Sequence, residues 1–172
     1  MSPLLSTIRR CGVAIVGLAI VAGCSSTASA PTTCPTDELL PTISQYVQGS
    51  SFIDTPWEPA PDTDLMAALS AGGVACSYGI QEAEVGTTIL FAQGKDVFES
   101  RRQTWKTDGQ QSVDIAGTDE AWALYAINGD ERHLWIVNLL VDDVWIQVNA
   151  TFLSDLDEAQ PLIEAAIEVV RG

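Results

Sequence analysis

Histidine and the basic residues are scarce in this chain of 172 residues. It has one histidine, His133, and its 8 lysines and arginines stand against 23 aspartates and glutamates, which gives a net charge of −15. Binding to nucleic acid, or to anionic headgroups through a basic patch, depends on the neutralisation of phosphates by Lys and Arg. The composition therefore predicts no nucleic-acid partner and a strongly charged, solvated surface.

The single histidine also narrows the chemistry that we expect. Zinc sites recruit several His or Cys ligands, and nucleophilic triads on Ser or Cys normally need a histidine. The chain has no G-x-S-x-G, P-loop or G-x-G-x-x-G motif. We therefore expect a protein that is not an enzyme, with no catalytic residues, no metal and no cofactor. His133 is interpreted as a residue at the start of a strand.

Paired carboxylates are the only acid–base material that remains, and they keep one alternative open: an envelope enzyme that uses surface carboxylates without a recognisable motif. The pairs fall at predicted turns or helix starts, where acids cap and solvate the backbone. None has the spacing of a calcium-binding loop. The candidates are Asp62/Asp64, Asp130/Glu131, Asp142/Asp143 and Asp155/Asp157/Glu158.

A long apolar run is missing near the N-terminus. The uncharged run that follows a short basic start covers about 13 residues, 11–23, whereas a membrane-spanning helix needs about 20. It ends in Val-Ala-Gly-Cys at 21–24, and small residues directly before a cysteine are typical of a lipobox. This predicts a lipoprotein signal peptide at 1–23 and lipidation of the Cys24 thiol. An ordinary signal peptide, cleaved at the A-x-A site 28–30, stays open as the alternative.

Removal of the signal makes the chain more acidic and decides how it meets the membrane. Arg9 and Arg10 leave with the signal, so 6 basic residues remain against all 23 acidic ones, a net charge of about −17. Attachment then depends on the acyl chains of Cys24, since two chains suffice for stable anchoring. Residues 24–33 are small and polar, which predicts a lipidated, flexible tether. We expect the mature chain on the extracytoplasmic face of the cell membrane.

Cysteine usage predicts one structural cross-link. Of the four cysteines, Cys11 leaves with the signal and Cys24 is lipidated, which leaves Cys34 and Cys76 in a chain exported to an oxidising compartment. These two are expected to form a disulfide. A redox-active pair more often has C-x-x-C spacing, which this pair lacks.

Hydrophobic periodicity predicts one α+β domain over residues 34–172, in which helices pack on an antiparallel sheet. The sheet is expected to end in a three-stranded meander, followed by a C-terminal helix. In the central strand of the meander, Trp135, Val137 and Leu139 are predicted to face one way and Leu134, Ile136 and Leu140 the other. Helices are predicted at 36–49, 62–71, 95–107 and 154–170, and strands at 74–80, 85–91, 113–115, 121–127, 132–141 and 144–150, with 50–61 irregular.

Two groups of residues are candidates for ligand contact. A cleft between sheet and helices could hold a protein partner or a small apolar ligand, with four aromatic residues as its lining. Taken one at a time, each of these aromatics is more typical of plain core. Arg101 and Arg102 belong to the only basic concentration of the mature chain and are a possible anion contact, unless they pair with surface carboxylates. The aromatic candidates are Trp57, Trp105, Trp122 and Tyr125.

Several of these features together resemble a known family. The lipobox, the Ser/Thr/Pro tether, Cys34 just ahead of a helix, and Ala-Gly-Gly-Val-Ala-Cys-Ser-Tyr at 71–78 resemble small actinobacterial cell-envelope lipoproteins of a domain-of-unknown-function family. Those proteins commonly carry a Gly-Gly-x-x-Cys-x-aromatic segment whose cysteine pairs with one near the mature N-terminus. The resemblance implies a PsbP-like α/β/α plate and transfers no catalytic residues. Tyr78 stands where tryptophan is frequent in that family.

Overall fold

The computed structural model describes residues 27–128 and 131–172. The predicted signal peptide, 1–23, and the predicted lipidation site, Cys24, lie outside the described residues, as does the turn at 129–130. The elements in chain order are α1 Thr36–Tyr46, β1 Ser51–Ile53, α2 Asp64–Ser70, β2 Val74–Ile80, a 3-10 turn Gln81–Ala83, β3 Val85–Gln93, α3 Lys95–Thr107, β4 Gln111–Ser112, β5 Glu120–Asn128, β6 Glu131–Val141, β7 Val144–Ala150 and α4 Leu156–Arg171.

The strands form one seven-stranded sheet in the order β1-β2-β3-β7-β6-β5-β4, and every pair of neighbours is antiparallel. The predicted α+β class, with an antiparallel sheet, a closing meander and a C-terminal helix, is confirmed. Helices cover both faces of the sheet, which explains why β7 is buried almost throughout.

Each face of the sheet has its own hydrophobic core. On one face, Leu39 and Ile43 of α1 and Leu162 and Ala166 of α4 are fully buried in the larger core. On the other face, Ala68 of α2 and Phe98 and Trp105 of α3 form the smaller core with Leu90, Trp122, Leu140 and Trp145 of the sheet. The aromatic rings of Trp105 and Trp145 lie 5.6 Å apart.

Two helix starts are capped by side chains. The Thr63 hydroxyl accepts a hydrogen bond from the Met66 backbone N–H, and the Asp155 carboxylate accepts one from that of Glu158. The position of Pro161 in the sequence predicts that the regular part of the last helix begins near Gln160, and this prediction is wrong. Since the Asp155 cap fixes the first turn, α4 begins at Leu156 and contains Pro161.

Three other predictions need correction. Strand β1 lies in the segment predicted to be irregular, because three residues are too few for a period to appear. The short strand predicted at 113–115 lies instead at Gln111–Ser112. In β6, Leu134 pairs with Tyr125 and Ile136 with Leu124, so that Trp135 is an extra residue, a β-bulge. The bulge brings Leu134 into the same core as Val137 and Leu139, against the prediction.

The predicted disulfide between Cys34 and Cys76 is present. The two Cα atoms lie 5.5 Å apart, and the bond joins the residue just ahead of α1 to the middle of β2. Cys76 has no exposed surface. The cross-link therefore ties the first helix to the sheet from within the larger core.

The predicted flexible tether is corrected over its described part, because residues 28–30 are docked on the domain. Ala28 is 4% exposed and belongs to the larger core. Its backbone N–H donates to Asp142 Oδ2 at 3.1 Å, and the backbone N–H of Ser29 donates to the Val170 carbonyl at 2.8 Å. The backbone N–H of Ala30 donates to Gln93 Oε1 at 2.9 Å. A run of small residues is typical of a linker, but here the small side chains let the backbone of residues 28–30 approach the domain closely.

Candidate functional site

The two tryptophans Trp105 and Trp122 are core residues of the α2–α3 face. Trp105 is 1% exposed, and its indole N–H donates to Asp64 Oδ2 at 2.8 Å. Trp122 is 8% exposed, its indole N–H donates to Glu120 Oε1 at 2.7 Å, and the Lys106 ammonium lies 5.4 Å above its ring. Each ring is therefore packed, and each polar atom is already bonded to a carboxylate.

The other two aromatic candidates lie elsewhere. Trp57 is partly buried and donates its indole N–H to the Ala75 carbonyl at 2.9 Å. Tyr125 packs against the larger core, on the opposite face of the sheet from Trp105 and Trp122. The structure does not bring the four aromatics into one cleft, and that part of the prediction is corrected. The interior is filled by the packing of the helices on both faces.

The arginines predicted as an anion contact are held by carboxylates. Arg101 donates through Nε to Asp64 Oδ1 at 2.6 Å and through Nη2 to the Asp62 carbonyl at 2.8 Å. Arg102 donates through Nε to Glu120 Oε1 at 2.7 Å, and its Nη2 contacts Glu120 Oε2. The hydrogen bond to Glu120 raises the pKa of Arg102. The carboxylates occupy the positions that an external anion would take, so the prediction of an anion contact gains no support.

A network of buried amide side chains lies beneath α2 and α3, and it was not predicted from the sequence. Asn138 is fully buried, and its Oδ1 accepts hydrogen bonds from Trp145 Nε1 and Gln147 Nε2, both at 2.9 Å. Its Nδ2 donates to Gln110 Oε1 at 2.9 Å. Gln147 Nε2 also donates to Asp64 Oδ2 at 2.7 Å. The available signal was an amide residue within an apolar stretch of a strand, as Asn138 is in β6 and Gln147 is in β7.

Beyond these amides, the same face of the sheet is left half open. Residues directly opposite one another on antiparallel strands point to the same face. Six such residues form one line across β1, β2, β3, β7, β6 and β5, two positions along the strands from the covered line that contains Leu90 and Gln147. All six are partly buried and none is charged. This line, the open row, is Ile53, Ser77, Thr88, Asn149, Ile136 and Leu124.

The open row contains a shallow pocket at its β1–β7 end. The pocket has a volume of about 220 Å³, and Ile53, Ser77, Thr88 and Asn149 all line it. The Ser77 and Thr88 hydroxyls lie 3.4 Å apart. The row therefore offers hydroxyl and amide groups in its middle and aliphatic side chains at both ends.

A larger groove lies on the other side of the molecule. It has a volume of about 760 Å³ and runs between residues 31–38 and the last turns of α4. Its charged lining, as far as the structure describes it, is Asp37, Glu38 and Glu168. These carboxylates repel an anionic ligand.

Two carboxylates, Glu120 and Asp143, have a shifted pKa, and in both the shift is opposite to the one that a general acid needs. A general acid at neutral pH has a raised pKa. Burial raises the pKa of Glu120, but hydrogen bonds from Arg102 and Trp122 outweigh it, so that the pKa is lowered overall. The Lys95 backbone N–H, followed by the Gln93 side chain, lowers the pKa of Asp143. Both groups are therefore held in the ionised form.

Neither a metal site nor a membrane span appears in the described part of the chain. Within residues 27–128 and 131–172, no three His, Cys, Asp or Glu side chains are grouped so that they could hold a metal ion. No helix in these two ranges has both the length and the apolar character to cross a membrane.

Comparison with known proteins finds no matching family model, no matching curated protein and no matching solved structure. The class is therefore defined by the fold and the site alone. It is a disulfide-linked α+β domain with a seven-stranded antiparallel sheet, one face of which is half covered and carries the six uncharged residues of the open row.

Proposed function

We propose that this protein is a lipid-anchored, extracytoplasmic binding module without catalytic activity, and that the open row docks an uncharged segment of a protein partner. The observation that carries the proposal is the absence of charge from six partly buried side chains in a row. The mature chain has 6 basic and 23 acidic residues. An uncharged strip on so acidic a surface is suited to desolvation by a partner, because burial of an unpaired charge costs far more than burial of an apolar or hydrogen-bonded group.

The shape of the surface favours a protein over a small apolar ligand. Pockets for small ligands typically enclose about 300–1,000 Å³. The pocket on the open row has about 220 Å³. A protein interface, in which each partner typically buries about 800 Å², does not depend on an enclosed pocket. Ser77, Thr88 and Asn149 would supply hydrogen bonds at the centre of such an interface.

The proposed location, on the extracytoplasmic face of the membrane, rests on the Val-Ala-Gly-Cys motif at 21–24 and on the disulfide. The motif predicts acylation of Cys24. A disulfide between Cys34 and Cys76 is typical of chains that fold outside the cytoplasm.

The proposal is tested by a charge introduced into the open row. Thr88→Arg places a cation among uncharged side chains, and Thr107→Arg, at the exposed end of α3, adds the same charge elsewhere. We expect cross-linking in intact membranes to capture the same partner with the wild type and with Thr107→Arg, and at least about tenfold less with Thr88→Arg, since an unpaired charge buried in an interface costs several kcal/mol.

Two controls accompany this experiment. Circular dichroism and thermal unfolding establish that the Thr88→Arg protein is folded, and mass spectrometry of the membrane-extracted wild type establishes whether Cys24 carries a diacylglyceryl group. Equal capture by the two arginine variants would contradict the docking surface, and an unacylated chain would contradict the anchor.

A further inference from the structure

The chain leaves the domain at a defined place, because residues 28–30 are bonded to three different elements. Their backbone N–H groups donate to Asp142 after β6, to the Val170 carbonyl in α4 and to Gln93 at the end of β3. The methyl group of Ala28 is buried in the larger core. Three hydrogen bonds and a buried side chain hold the segment in one position.

The acceptors of these bonds are themselves held in place. Asp119 Oδ2 accepts the Asp142 backbone N–H at 2.7 Å. Asp143 Oδ1 accepts the Lys95 backbone N–H at 2.6 Å, and Asp143 Oδ2 accepts Gln93 Nε2 at 3.2 Å. The point at which the chain leaves the domain is therefore part of a hydrogen-bonded network at one end of the strands.

This end of the sheet, which we call the anchor edge, consists of residues 28–30, 93–95, 117–119, 142–143 and 170–171. The guanidinium of Arg171 completes it by donating to the Gly117 carbonyl at 2.8 Å. Within these ranges, two basic residues, Lys95 and Arg171, stand against three aspartates, whereas the mature chain has 6 basic residues against 23 acidic ones. An anionic bilayer surface therefore repels this edge less than it repels the average surface of the molecule.

Cys24 has little reach from this point. It precedes Ala28 by four residues, and a fully extended chain covers at most about 3.6 Å per residue, or about 14 Å. A domain of this size has a radius of gyration of about 14 Å. A tether no longer than that radius cannot let the domain turn its far side to the bilayer.

We propose that the anchor edge is the membrane-facing surface of the protein, and that docking of residues 28–30 fixes the orientation of the domain on the bilayer. This inference rests on the proposed acylation of Cys24. Ile136 of the open row lies five residues before Val141, at the anchor edge end of β6, and five strand residues span about 17 Å. The docked segment thus lifts the open row off the headgroups and leaves it accessible to a partner.

The orientation is tested by lipid-borne quenchers on vesicles of phosphatidylcholine and phosphatidylglycerol that carry the acylated full-length mature protein. A fluorescent noncanonical amino acid replaces either Lys95, at the anchor edge, or Glu82, on the 3-10 turn at the opposite end of β2 and β3. Both positions are exposed. We expect headgroup quenchers to act at least about threefold more strongly at position 95, because the two positions differ in height by a large part of the domain diameter.

A pair of neighbouring substitutions tests the role of docking. Ala28→Asp places a carboxylate in the core beside Asp142 and is expected to release the segment, whereas Ser29→Asp adds the same charge to an exposed side chain. We expect the difference in quenching to disappear in Ala28→Asp and to persist in Ser29→Asp. Far-ultraviolet circular dichroism checks that both variants are folded.

The outcomes separate this inference from the proposed function. An acylated wild type with equal quenching at positions 82 and 95 overturns the membrane-facing edge and leaves the anchor intact. A chain without the acyl mass overturns the anchor and the edge together. A difference that persists in Ala28→Asp overturns docking as the cause of orientation.

Discussion

Asn138 bonds three polar side chains of the α2–α3 face, as many as Asp64 does. The Asn138 amide accepts from Trp145 and Gln147 and donates to Gln110, and all four side chains are buried. A buried polar group stabilises the fold only while its partners are present, since loss of a partner leaves a desolvated donor or acceptor behind. The hydrogen bonds between these amides therefore favour one position of β6 and β7 relative to the helices, because any other position would leave buried polar groups unpaired.

The substitution Asn138→Ala tests this interpretation. It removes the partner of three buried groups, and each unpaired group costs about 1–3 kcal/mol. We expect the free energy of unfolding, measured by urea denaturation, to fall by about 3 kcal/mol or more. Gln103→Ala removes an exposed amide of α3 and serves as the control, with an expected change within about 0.5 kcal/mol. A loss below about 1 kcal/mol for Asn138→Ala would mean that water replaces the missing amide.

The lowered pKa of Asp143 predicts that the stability of the fold depends on pH. The Lys95 backbone N–H and the Gln93 side chain lower its pKa below the ordinary value of 3.8. A carboxyl group whose pKa is lower in the folded state stabilises that state above its unfolded pKa, and this contribution is lost as the pH falls through the folded value. We therefore expect the free energy of unfolding to decrease as the pH is lowered below about 4.

The substitution Asp143→Asn isolates this contribution. The variant should be less stable than the wild type at pH 7, and the gap between the two should narrow as the pH falls, in denaturation curves measured from pH 7 to pH 2. Glu82→Gln, at an exposed residue of the 3-10 turn, is the matched control and should leave the curve unchanged. A gap that stays constant over the whole range would contradict the assignment.

At the scale of elements, the disulfide has the largest single effect that we expect. It links the start of α1 to β2 across a sequence separation of 42 residues. In the loop-entropy model, closure of such a loop stabilises the folded state by about 4 kcal/mol. Because β2 lies near one edge of the sheet, the cross-link also ties that edge to the larger core.

The expected loss is measured on mature chains that carry Cys24→Ala, so that Cys34 and Cys76 are the only cysteines. The additional pair Cys34→Ser and Cys76→Ser should lower the midpoint of chemical denaturation by an amount that corresponds to about 3–4 kcal/mol. The parent chain should show no free thiol before reduction. A loss below about 1 kcal/mol would show that the folded core holds α1 on the sheet without the cross-link.

Elements with a strong period were predicted closely, and short or irregular ones were not. Helix α3 was predicted at the residues at which it begins and ends, and so was β7, since each has a long pattern of one period. The three residues of β1 are too few for such a pattern. The bulge at Trp135 reverses the facing of the residues before it, and an alternating sequence carries no mark of that.

The candidate site shows the same division. The cysteine pair followed from counting, because an exported chain with two remaining cysteines has one pairing. The four aromatics were candidates for a pocket or for plain core, and the indole N–H groups of the three tryptophans are bonded to neighbours that lie 2 to 41 positions away in sequence. The open row could not be predicted, since its six members come from six strands and share only their register.

At the scale of the whole molecule, the anchor edge and the open row lie at different distances along the strands from residues 28–30, where the chain leaves the domain. The anchor edge gathers the ends of β3, β6 and α4, and the open row lies further along the strands, on the face of α2 and α3. A signal that attaches a chain to a membrane says nothing about which side faces a partner. In the orientation that we propose, the docked segment supplies that information, because only three residues lie between Cys24 and Ala28.

The amino-acid sequence by itself determined the helices and strands with a clear period, the cysteine pair and the acidic, histidine-poor composition. These are local or additive properties, and each can be read from neighbouring residues or from a count. Only the tertiary structure decided that residues 28–30 are docked, that Trp105 and Trp122 are core residues, that the amides are joined and that one row stays open. Those features depend on contacts between distant residues, which exist only when the strands have paired in register and the helices have packed.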